Sequence, residues 1–100
     1  MGWGMGSLSF TPMNFITLTL KMRMKDLFPK GEFIVESYYR TNSMLHIVEL
    51  FVVQNGNRVL IAEWVLDSLV VDELDVNNAH LLRIPITDEC RTKCMLLYGD

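Results

Sequence analysis

The chain is 100 residues long, with half of them hydrophobic and 21% charged, which fits one folded domain rather than a disordered chain. Its formal net charge of −3 argues against a dedicated nucleic-acid binder, which concentrates basic residues on one face. Two cysteines are too few for a secreted disulfide scaffold, no basic segment opens the chain as in a signal peptide, and no apolar run approaches the ~18 residues of a membrane span. These features predict a soluble intracellular domain over residues 1–100, with residues 1–13 as a more loosely packed N-terminal segment.

In residues 15–24, Ile16, Leu18, Leu20, Met22 and Met24 alternate with Thr17, Thr19, Lys21 and Arg23. That period of two predicts a first strand with one buried and one wet face. Breakers follow around Pro29, and residues 32–40, rich in β-branched and aromatic side chains, predict a second strand. Thr41-Asn42-Ser43 predicts a turn. Residues 44–54 and 58–66 flank Asn55-Gly56, the dipeptide that most readily takes positive φ angles, and predict a β-hairpin.

With Asn55 and Gly56 as the central turn residues, Val53 faces Arg58, Phe51 faces Leu60 and Glu49 faces Ala62. A three-residue loop would instead set Glu49 against Glu63, a like-charge pair that sheets disfavour, so the two-residue turn is expected. Further on, the pattern predicts a short strand at 69–71, a turn of helix at 72–78, and strands at 80–87 and 93–98. Pro85 places the first of that last pair at an edge or bulge.

The first strand of the hairpin is apolar on both faces: Leu45, Ile47, Phe51 and Val53 on one, Val48, Leu50 and Val52 on the other. A strand apolar on both sides must be covered twice. Because the pattern shows no long helix, the predicted fold is an all-β antiparallel sandwich. A second sheet covers one face and another subunit meets the other, with Val48, Leu50 and Val52 at the oligomer interface. A closed monomeric barrel is the alternative.

Chemistry-bearing motifs are few. Cys90 and Cys94 lie four residues apart, not the two of a zinc knuckle or redox pair, and on a strand would be ~13 Å apart, so they read as structural. His46, inside an apolar strand, reads as a structural histidine with its hydrogen bonds satisfied, and His80 as a solvated one. There is no nucleophile elbow, glycine-rich phosphate loop or EF-hand spacing, so no enzyme and no metal or cofactor are expected. Charge is uneven: residues 1–40 carry five bases and three acids, residues 41–100 four bases and nine acids. No base interrupts residues 59–82, where Glu63, Asp67, Asp72, Glu73 and Asp75 accumulate as a candidate contact surface for a basic partner.

Leu45-His46-Ile47-Val48-Glu49 resembles the hydrophobic-His-Ile strand of the nucleoplasmin family of histone chaperones. Asn55-Gly56, Val59-Leu60-Ile61 and Leu66-Asp67-Ser68 are similar to the hairpin and descending strand of the nucleoplasmin-like domains ahead of some prolyl isomerases. Leu74-Asp75-Val76 and Met95-Leu96-Leu97-Tyr98-Gly99 are similar to the family's apolar-acidic step and closing strand, so the resemblance spans residues 32–99. It implies an eight-stranded jelly roll forming a ring-shaped homopentamer. The ring would lie in the nucleus and bind basic proteins, histones, through acidic loops, with Asp67, Asp72, Glu73 and Asp75 as contacts. The family's long Asp/Glu run has no counterpart here, which bears on histone affinity more than on fold. The alternative is a non-enzymatic oligomeric β-sandwich module, structural or viral, that binds protein through its apolar strands; neither reading involves nucleic acid or membrane.

Overall fold

The computed structural model describes residues 12–40, 44–74, 77–78 and 84–99. Their order is α1 (Pro12–Leu27), β1 (Phe33–Arg40), β2 (Leu45–Gln54), β3 (Asn57–Asp67), α2 (Ser68–Asp72) and α3 (Asp88–Tyr98). The strands form one antiparallel sheet in the order β1-β2-β3, and side chains from all three helices join the core on one side of it. The domain is therefore a small α/β unit. The expected all-β sandwich, and with it the eight-stranded jelly roll, is overturned.

The decisive difference is α1, where a strand was expected. Its even-numbered apolar series satisfies two periods at once, because Ile16, Leu20 and Met24 are also an i, i+4, i+8 helical stripe. Those three are 5, 1 and 0% exposed, whereas Leu18 and Met22 are 46 and 59% exposed. A strand would have put all five on one face. Leu, Met, Lys and Arg favour helix more than the threonines oppose it, and Pro12 supplies a pre-set φ at the first helical position. The exit is closed locally: Phe28 N donates to Met24 O and Gly31 N to Phe28 O, each at 2.9 Å, and Lys25 Nζ donates to Gly31 O at 2.8 Å. A Cβ at Gly31 would lie 2.5 Å from the Phe33 ring, so any side chain there would have to displace that buried ring.

The second expected strand is present as β1, and the hairpin is present as β2 and β3. Asn55 and Gly56 occupy the turn at φ 53 and 80°, the left-handed region that asparagine tolerates and that glycine, lacking a Cβ, enters freely. Pairing begins as the two-residue turn dictates, with Gln54 opposite Asn57, Val53 opposite Arg58 and Phe51 opposite Leu60. A bulge then shifts the register between Leu50 and Phe51. It absorbs Ile61, pairs Leu50 with Ala62, and sets Glu49 opposite Glu63 rather than opposite Ala62.

Val48, Leu50 and Val52 are fully buried and pack in one cluster with Ile16, Leu20 and Met24 of α1, Trp64 of β3, and Cys90 and Cys94 of α3. The chain's own helices cover this face, so the residues assigned to an oligomer interface belong to the domain's core. Residues 69–71, expected as a strand, lie in α2; Asp67 caps it by accepting a hydrogen bond from Leu69 N at 2.8 Å. Residues 93–98, also expected as a strand, lie in α3. Its start carries signals that outweigh the strand reading: a Thr87 cap accepting from Cys90 N at 3.2 Å, with Asp88 and Glu89 in the positive first turn. Residues 84–87 are irregular, not strand, and are strapped down by Arg23 donating to Ile84 O and Trp64 Nε1 to Pro85 O, both at 2.8 Å. The turn at 41–43 and His80 fall outside the described residues.

Candidate functional site

The sheet's other face carries both apolar and acidic side chains. Alternation along each strand sends Ile34, Glu36, Tyr38 and Arg40 of β1 away from the helices, together with Leu45, Ile47, Glu49, Phe51 and Val53 of β2. The register then assembles cross-strand rows. Tyr38, Ile47 and Val65 form one apolar row, and Ile34, Phe51 and Leu60 another. Between them lies a row of three glutamates, Glu36, Glu49 and Glu63, one from each strand. Among the described residues no element covers this face: Tyr38, Leu60 and Val65 are 43, 48 and 53% exposed, while Ile47 between its two neighbours is fully buried.

Among the described residues, one cation serves the acidic row. Arg58 lies over the Phe51 ring, 4.7 Å from its centroid, and its Nη1 donates to Glu36 Oε2 at 3.0 Å. The ion pair is half exposed and so contributes little, about 0–1 kcal/mol, with the ring contact adding about 0.5–1. Neither Glu49, half-buried at the centre of the sheet, nor Glu63 has an ion-pair partner among the described residues. Like charges facing one another across strands destabilise the sheet. The face is thus an apolar surface with an incompletely neutralised acidic stripe through its middle.

The acidic patch expected from the sequence is differently placed. Asp67 spends its carboxylate capping α2, and Asp72 and Glu73 lie exposed at the far end of that five-residue helix. Asp75 falls outside the described residues. Asp72 Oδ1 is 3.5 Å from Nε2 of His46, whose ring tilts against Tyr39 with centroids 5.0 Å apart. His46 is buried, as its strand position implies, but its two ring nitrogens lack hydrogen bonds, so the expectation of a satisfied histidine is corrected.

Cys90 and Cys94 are one helical turn apart and buried, not on a strand. Burial pushes the Cys94 thiol up to about 12, with Cys90 adding to the effect, and burial raises Cys90 too. Both are protonated at neutral pH, and a thiol in that form is a poor nucleophile and a poor metal ligand. No group of three or more His, Cys, Asp or Glu among the described residues is arranged to hold a metal ion.

Sequence reasoning missed Glu36, Glu49, Glu63 and Arg58 as members of one surface. The two-residue turn implies Glu49 opposite Ala62, and nothing in residues 45–67 marks the bulge that sets Glu49 opposite Glu63 instead. No protein-family model matches the chain, and neither a curated protein nor a solved structure matches it.

Proposed function

We propose that the chain is a non-enzymatic protein-interaction domain that docks its partner on the open face of its sheet. The observation that carries this is the asymmetry of β2: its Val48, Leu50 and Val52 face is fully covered by the chain's own helices, while the face bearing Ile47 and Phe51 is flanked by exposed Tyr38, Leu60 and Val65. Exposed apolar rows gathered on one face of a small domain, with polar residues among them, mark an interaction site. The reading keeps the basic partner inferred from the sequence but moves its contact from the α2 acids to the glutamate row. Histone binding through Asp67, Asp72, Glu73 and Asp75 has less support, since Asp67 is committed to a helix cap and Asp72 lies beside His46.

The test is selection of peptides from a displayed library on the whole protein, followed by binding to Leu60→Asp and Val65→Asp variants whose folding is verified by circular dichroism. Convergence on sequences that lose binding to both variants is the expected result. Selected peptides that bind both variants as well as wild type, or a library that yields none, would overturn the reading.

A further inference from the structure

We infer that the occupant of the open face is an amphipathic helix of a partner protein that presents an apolar, a basic and an apolar residue at i, i+4 and i+8 along β2; this rests on the docking reading above. Three observations select that shape. The rows on β2 are centred on Ile47, Glu49 and Phe51, two residues apart, which is ~6.6 Å per step. A helix lying along the strand advances ~6 Å every four residues, so its i, i+4 and i+8 side chains fall on successive rows. On the sheet's other side the chain's own α1 presents apolar residues at this spacing, Ile16, Leu20 and Met24, to the core.

The backbone argues in the same direction. A helix satisfies its own N–H and C=O groups, whereas an extended peptide laid flat on a sheet face leaves its own unpaired. The charge argues for a basic centre, because Glu49 and Glu63 have no ion-pair partner among the described residues and Arg58 is engaged with Glu36. A second copy of the chain fits less well: matching apolar row to apolar row in a face-to-face pair about the central row brings one glutamate row onto the other, and each copy carries a net charge of −3. A partner lysine or arginine over the row turns an unfavourable like-charge pair into a charge-assisted contact, partly shielded by the flanking apolar rows.

The experiment titrates the full chain with three helical alanine-based peptides that carry leucine at i and i+8 and differ only at i+4, as lysine, glutamine or glutamate. Binding is read by fluorescence anisotropy at low and physiological salt. The lysine peptide should bind about ten-fold tighter than the glutamine peptide, as expected for a contact to a charged group, and the glutamate peptide should bind weakest. Against a Glu49→Gln/Glu63→Gln double variant the lysine advantage should vanish. Equal binding of the lysine and glutamine peptides, abolished by Leu60→Asp, would overturn the basic centre while leaving the docking reading intact. Failure of all three peptides, with library-selected peptides still lost on Leu60→Asp, would overturn the helical occupant alone. Light scattering that shows a dimer dissolved by Leu60→Asp would make a second copy the occupant. Lysine-peptide binding indifferent to both Leu60→Asp and Val65→Asp would sink the docking reading as well.

Discussion

Glu49 and Glu63 stand directly opposite one another on β2 and β3, although the hairpin between them turns through only two residues. The bulge between Leu50 and Phe51 produces that pairing, and the unshifted register of β1 on β2 adds Glu36 to the same row. A like-charge pair at the centre of a sheet is a cost the free domain carries.

Relieving it should stabilise the domain and weaken the docking surface together. Glu63→Lys is expected to raise unfolding stability in urea by about 0.2–1 kcal/mol, the size of a cross-strand pair term. The same variant should lose affinity for the lysine-centred helix. A variant that is no more stable than wild type would mean that the two carboxylates do not repel across the strands.

The helical nature of α1 has its own test in two adjacent leucines of the even-numbered series. Leu20 is 1% exposed and Leu18 46%, so Leu20→Ala should cost about 2–5 kcal/mol in urea unfolding while Leu18→Ala stays within roughly 0.5–1. A strand would bury both on one face and equalise the losses. Leu50→Ala should be as costly as Leu20→Ala, since both side chains lie in the same fully buried cluster.

The turn makes a third prediction. Gly56 sits at φ 80° with open space around it, so Gly56→Ala meets no clash but forces a side chain into the left-handed region. The expected loss is about 1 kcal/mol, measured as a lower urea midpoint with an unchanged slope.

Thiol chemistry supplies a prediction with a pH dependence. Below the ordinary thiol value of 9.0, Cys94 is protonated in both folded and unfolded chains, so its contribution to stability is fully present. As pH climbs from 9.0 toward about 12 the unfolded chain releases that proton and the folded chain does not, so stability should fall across this window. Cys94→Ala should flatten that part of the curve. At pH 7.5 neither cysteine should react with a thiol reagent until denaturant is added; rapid labelling of the native protein would contradict the burial of both.

Local rules written in adjacent residues determined the turn and the strands beside it. Asn55-Gly56 needs no tertiary context to take positive φ, and the β-branched and aromatic residues of 33–40 and 45–54 suit a pleated surface wherever they are placed. The double apolar character of β2 was equally plain; the chain's own helices cover one of its faces, and no element among the described residues covers the other. What supplied the first cover was hidden. The series from Ile16 to Met24 satisfies a strand and a helix alike, and only the buried face of a sheet needing a helix on it selects Ile16, Leu20 and Met24 from the five. Cys90 and Cys94 were ambiguous for the same reason, since their i, i+4 spacing becomes a shared helical face only once Thr87 caps α3. The glutamate row was the least legible feature. It depends on a one-residue bulge that leaves Ile61 unpaired and buried in the same core cluster as Leu50 and Trp64, a feature that no local turn signal in the sequence marks.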